Sequence, residues 1–298
     1  MKKGIISPVF KYIFVLIAGA VILTFFVIFA VNMSSHGNLR ISAEVAETIE
    51  DSLKAYSSSL SSYKVLDTGS KVLIQIKSGK IIVGDYSKKT KLIIFAPEKL
   101  KGDKFHLWTQ RLYYPYSIVN LFYITNLKDK YYLVYDQGTE EYVTDLKEKI
   151  YGLPNFEIAN IRDVGKIKEG KVVFFTARRE IPGVDKIISV NVMNKEIDFG
   201  EDKSSYLEEY MLLGGIICGD KECYEEMKQQ ILDRIHKVSS VYLSKVNLIK
   251  ESGCNYSPLL TNLNRMKNTN DLEVLEEVKD ALINANNNLQ GDGCSELF

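Results

Sequence analysis

The sequence predicts an α/β protein carried on a single N-terminal membrane helix, and three observations support that reading. Residues 12–31 form twenty consecutive uncharged positions, nearly all apolar. Eight apolar runs of strand length follow between Lys71 and Val192. The last third is periodic at helical spacing and holds all four cysteines, Cys218, Cys223, Cys254 and Cys294. The expected layout is a cytoplasmic N-terminus (1–11), a transmembrane helix (12–31), a juxtamembrane helix and hinge (32–62), an α/β domain with one mixed sheet (63–200), and a helical, cysteine-bearing region (201–298).

Each element follows from local chemistry. At about 1.5 Å rise per residue, twenty helical residues span about 30 Å, the hydrocarbon thickness of a bilayer. A cleaved secretory signal has a shorter apolar core ending at a small-x-small site, whereas the one such run here, Ala18-Gly19-Ala20, lies inside the block. Lys2, Lys3 and Lys11 precede the span, while Arg40 is the one basic residue beyond it before Glu44, Glu47, Glu50 and Asp51. Positive charge stays inside, so the expected location is the cell membrane, single-pass, with the bulk of the chain extracytoplasmic and the lipid bilayer as first partner.

The stretch "KKGIISPV" at residues 2–9, leading into a long hydrophobic helix, resembles the class III signal of archaeal type IV pilins, which begin basic-Gly-Ile-Ser-Pro-Val. The resemblance covers about the first thirty residues. It implies cleavage after Gly4 by a prepilin peptidase and packing of the apolar helix into a filament core. Lys11 interrupts the apolar run, and the body is larger and richer in cysteine than a small pilin head, so a plain signal anchor stands beside the pilin reading. The whole layout also resembles single-pass, membrane-anchored archaeal proteins, a likeness that implies no activity.

Beyond the span, Ile41, Val45, Ile49, Leu53, Tyr56 and Leu60 recur every three or four residues among polar ones, which predicts an amphipathic helix. Such a helix either continues toward a partner helix or covers its own domain's sheet. Asn32, Gly37 and Asn38 predict a break before it, and the serines of 57–62 a helix end and hinge.

From Lys64 the period changes to that of strands: "KVLIQI", "KIIVGDY", "KLIIFAP", "SIVNLFYIT", "KYYLVYD", "FEIANI", "KVVFFTA" and "KIISVNV". Several are apolar on both faces, as strands buried between layers are. "IKSGKI" predicts a hairpin, and a helix within "TEEYVTDLKEKIYGL" between two strands predicts a β-α-β unit. Sites in such sheets lie beyond the carboxyl ends of strands, which directs attention to Asp136-Gln137-Gly138-Thr139. The phosphatase loop of the haloacid dehalogenase type needs Asp where Tyr135 and Gln137 stand, so the stretch is expected to be a turn with Thr139 as N-cap.

Composition narrows function further. The 298 residues balance Lys+Arg 38 against Asp+Glu 38, which gives no bulk attraction to a polyanion, and no nucleic-acid partner is expected. The histidines are His36, His106 and His236, and the chain lacks the serine elbow, the phosphate loop, the dinucleotide fingerprint and the zinc-protease helix motif. No catalytic residue, cofactor or metal ligand is assigned. Trp108, Tyr113, Tyr114 and Tyr116, beside Pro115, suit either core packing or an exposed recognition patch for glycan or protein.

In the last third, Met227, Ile231, Ile235, Val238, Val241, Tyr242, Lys245 and Leu248 trace one stripe, and Leu272, Leu275, Val278, Leu282 and Leu289 another, free of polar residues except His236 near an edge. An exported, even set of cysteines favours disulfides. The polar turn 219–222 can return Cys218 to Cys223, and a turn-back within "NYSPLLTNLNRM" would bring Cys254 to Cys294. A zinc site with His236 is the competitor, against which stand the missing Cys-x2-Cys knuckles and the compartment. The resulting expectation is a surface-exposed structural or interaction protein, pilin-like if processed, with partners along its first helices. A tethered binding module or an ectoenzyme of unknown reaction are the alternatives.

Overall fold

Apolar periodicity beyond the membrane block needs a surface to cover, and the structure supplies one. The computed structural model describes residues 8–56, 60–150, 153–184, 186–249 and 253–298, and within the first helix it leaves aside the side chains of 8–11, 14 and 29–38. Gly4 lies outside the described residues. That helix, α1 (Pro8–Ala55), is 48 residues long and runs through Asn32, Gly37 and Asn38, where a break was expected. A single interior glycine costs about 1 kcal/mol, too little to stop a helix held at its far end by packing. Val45, Ala46, Ile49 and Leu53 of that end are buried against a sheet, so α1 covers its own domain there. Glu50, also buried, lies 2.8 Å from Lys88 and 2.9 Å from Lys54, and the Lys88 ammonium holds its carboxyl below the usual carboxylate range.

Among the described residues, no helix is long and apolar enough to cross a membrane. The block 12–31 on which the expected span rests runs past residue 28 into positions whose side chains lie outside the description.

The expected single sheet is two. The first comprises β1 (Ser61–Lys77), β2 (Lys80–Val83), β3 (Tyr86–Lys89), β4 (Ile93–Phe95), β5 (Leu100–Tyr113) and β6 (Ser117–Asn126), in the order β3-β2-β1-β5-β6-β4. It is antiparallel except for β4 beside β6. β1 begins at Ser61, so the expected hinge is shorter than 57–62, and its residues 57–59 lie outside the description. The hairpin in "IKSGKI" forms with Ser78 and Gly79 at positive φ, 52° and 64°, the geometry that two-residue turns need. Glu226 accepts both turn amides at 2.9 Å.

The second sheet contains β7 (Tyr131–Tyr135), β8 (Phe156–Asn160), β9 (Lys171–Phe174), β10 (Lys186–Asn191), β11 (Glu196–Asp198) and β12 (Lys203–Ser205), in the order β12-β11-β10-β9-β7-β8. Strands β8, β7, β9 and β10 are parallel, and α2 (Glu140–Lys149) crosses over between β7 and β8 as the expected β-α-β unit. The α/β region therefore extends to Ser205, past the expected boundary at 200. Periodicity shows that strands exist and leaves open which of them share a sheet.

α3 (Glu209–Cys218) joins the sheets. A Cβ on Gly214 would meet the Phe95 ring of β4 at 2.5 Å, and one on Gly215 would meet Ile197 Cδ1 of β11 at 2.4 Å. The adjacent glycines let a helix backbone touch both sheets. Gly214→Ala is expected to cost about 1–3 kcal/mol by overpacking, seen as a lower denaturation midpoint. Gly215→Ala should cost less, because a methyl terminus yields more easily than a ring stacked 5.6 Å from Tyr123.

α4 (Lys221–Ile249), α5 (Ser257–Asn268) and α6 (Leu272–Gly291) complete the molecule. The α4 stripe holds as far as Val238, then turns away: Val241 and Leu248 are exposed while Tyr242 and Val246 pack. Polar residues do enter the stripes. Ser239 is buried and bonds Tyr116, and Asn286 is buried and binds the main chain of Leu297 and Phe298. Their partners lie outside their own helices, which no stripe on a single helix can reveal.

Candidate functional site

In a parallel sheet, a crevice opens where two neighbouring strands send their following connections to opposite faces. Leu133 of β7 and Val143 and Leu146 of α2 share the main core, so the β7 connection runs over that face. Val164, Ile167 and Ile181 pack with Val134, Val172 and Phe174 on the other face, which carries the connections on either side of β9. Adjacent β7 and β9 thus diverge, and a cavity of about 360 Å³ lies beyond the carboxyl ends of β9 and β10, reaching Thr139 in the loop after β7.

Asp136 stands at that divergence. Its Oδ1 accepts from Gly138 N at 3.0 Å, from Thr139 N at 3.2 Å and from the Thr139 hydroxyl at 3.1 Å. Its Oδ2 accepts a short hydrogen bond from the Thr176 hydroxyl, at the end of β9. That bond, ahead of those from Thr139 and Gly138, holds the Asp136 carboxyl below the usual carboxylate range. A carboxylate so stabilised is a poor base at neutral pH. Thr139 stands at the N-cap position of α2, as expected, but its side chain makes no capping bond, because its hydroxyl is spent on Asp136.

On the opposite wall, Arg178 Nη1 lies 3.8 Å from Asp198 Oδ1, and Lys203 Nζ lies 3.8 Å from Glu196 Oε2. Asn191 accepts Asn194 N at 3.0 Å through Oδ1, which leaves its amide NH2 as donor. Val192 and Met193 give the cavity an apolar side, with Phe175 and Val190 buried behind it. The polar groups of the lining are hydroxyls, an amide and two ion-paired cations, a set able to hold a polar ligand. Of these residues the sequence singled out Asp136 and Thr139. Thr176 at the end of a strand run was within reach of the same rule, but the direct pairing of β7 with β9, out of chain order, was not.

A scan against protein-family models, curated proteins and solved structures finds no match for this chain.

Of the two readings of the aromatic residues, core packing holds for three of the four. Trp108, Tyr114 and Tyr116 are buried and Tyr113 alone of the four is exposed. Trp108 packs 4.8 Å from Tyr123, and Tyr116 stacks 4.0 Å from Tyr242 with its hydroxyl 2.7 Å from Ser239 Oγ. The Tyr114–Pro115 turn does not project into solvent, because helices lie over it: Lys279 of α6 sits 5.1 Å above the Tyr114 ring.

Both expected disulfides are present. Cys218 joins Cys223 with Cα atoms 5.8 Å apart, and Cys254 joins Cys294 at 6.1 Å. Gly219 ends α3 at φ 76° and Asp220 Oδ1 accepts Cys223 N at 2.8 Å, which turns the chain back as the first bridge requires. No metal-holding cluster occurs among the described residues. His236 Nε2 is 2.8 Å from the Thr269 carbonyl, a structural bond from α4 to the segment before α6.

His106 is buried, with Nδ1 2.7 Å from the Tyr63 hydroxyl. Burial pushes its pKa below the ordinary 6.5. Because the folded state disfavours the proton, its contribution is complete above the unfolded value and is lost as pH falls below about 6.5. A thermal midpoint that declines from about pH 7 to about pH 5, and declines less in His106→Gln, is the expected result.

Proposed function

We propose that the protein is a single-pass, membrane-anchored structural or interaction protein whose body stands outside the cell. The observation that carries this reading is the two-part character of α1. Its first part presents apolar side chains all round, with Tyr12 76%, Leu16 74%, Val15 66% and Phe25 65% exposed, and its far end docks on the first sheet. A helix apolar on every side needs lipid or protein around it. The two disulfides suit an oxidising exterior and support the same orientation.

A second reading, a pilin-like filament subunit, is favoured by the unbroken helix, about 72 Å long at about 1.5 Å per residue, that docks on a sheet at one end and is bare at the other. Protease added to intact cells is expected to digest the body while the anchor stays in the membrane fraction; protection of the body overturns the exterior assignment. N-terminal sequencing of the mature protein then separates the two readings. A chain beginning at residue 5 supports the filament subunit, and an uncut one the plain anchor.

A further inference from the structure

We propose that the crevice beyond β9 and β10 binds a neutral, polyhydroxylated ligand, a terminal sugar of one or two rings. This inference stands whether or not the first helix is a membrane anchor.

The groups that would attract an ion there are offset by neighbouring charge or by internal hydrogen bonds. A phosphate or carboxylate at such a divergence is held by free amides at a helix start. Here Gly138 N and Thr139 N donate to Asp136, and Glu140 and Glu141 place negative charge in the first turn of α2. The two cations of the opposite wall each have a carboxylate at 3.8 Å. A bare metal ion finds no group of ligands among the described residues, and Asp136 spends both oxygens on hydrogen-bond donors.

What remains is a set of donors and acceptors without net charge. The Thr176 hydroxyl gives its proton to Asp136 and keeps lone pairs to accept. Asn191 keeps its NH2, and Arg178, at a long distance from Asp198, keeps donors of its guanidinium fork. Ser189 adds a group that both donates and accepts. Alternating donors and acceptors match vicinal hydroxyls, each of which does both. The apolar side formed by Val192 and Met193 matches the C–H face of a pyranose. At about 360 Å³ the cavity lies in the range of small-ligand sites.

The test uses the full chain in detergent micelles, titrated with D-glucose, N-acetylglucosamine and maltose, and separately with inorganic phosphate and AMP. Binding is followed by amide chemical shifts, and the intact disulfides and thermal midpoint serve as fold controls. The expected result is saturable shifts at residues 176–178 and 189–193 with at least one sugar and none with phosphate or AMP. Affinity should weaken about tenfold or more in Asn191→Ala and in Arg178→Met, the loss of one well-made hydrogen bond. Shifts with phosphate or AMP in the crevice, no shifts with any sugar, or sugar binding that both variants leave unchanged would each overturn the proposal.

Discussion

If α1 is the proposed anchor, replacing Val21 and Ile22 together by Arg is expected to remove the protein from the membrane fraction, the largest effect of any change described here. Both side chains are exposed, at 64% and 56%, near the middle of the apolar part of α1, far from the buried contacts at Val45–Leu53. Each Arg at the centre of a membrane helix costs about 2.5–3.5 kcal/mol on the insertion scale, so the pair opposes insertion by about 5–7 kcal/mol if the two contributions add. The body contains neither residue, so its disulfides and melting should be unchanged in whatever protein is recovered. Unaltered membrane retention would mean that α1 is no anchor and that another protein covers its apolar surface.

Opening the Cys254–Cys294 bridge, by Cys254→Ala with Cys294→Ala, is expected to cost about 4 kcal/mol in the chain-entropy model for a separation of 40 residues. The Cys218–Cys223 bridge, closing a separation of 5, should contribute only about 2 kcal/mol by the same relation. The long bridge also fastens residues 294–298, where Leu297 is buried, the Phe298 ring lies 5.5 Å from that of Tyr116, and Tyr256 OH donates to the Ser295 carbonyl. Its loss should free this segment to exchange its amide protons before the rest of the molecule unfolds. Chemical denaturation of the two double variants decides the matter: a larger loss from the short bridge than from the long one would refute this account.

The amphipathic end of α1, the hairpin at Ser78-Gly79, the β-α-β unit and both cysteine pairings were legible in the sequence. Each rests on a local signal: a repeat of three or four residues, a turn that needs positive φ, an apolar run of strand length, or a spacing that fixes how far a chain can return. What lay outside such signals was decided by segments far apart in the chain. Thr176 meets Asp136 because β9 pairs with β7 out of chain order, and Thr176 then lines the crevice. Trp108 and Tyr116 looked as suited to a recognition surface as to a core, since an aromatic ring buries equally well in either. Only the helices laid over the first sheet made them core. The sequence by itself determined which segments are helix, strand and clamp, because backbone propensity and side-chain period act between near neighbours. The tertiary structure alone decided that there are two sheets, that two adjacent glycines join them, and that the polar groups beyond β9 and β10 face one another, because burial and hydrogen bonding are satisfied between residues of different elements that no local repeat connects.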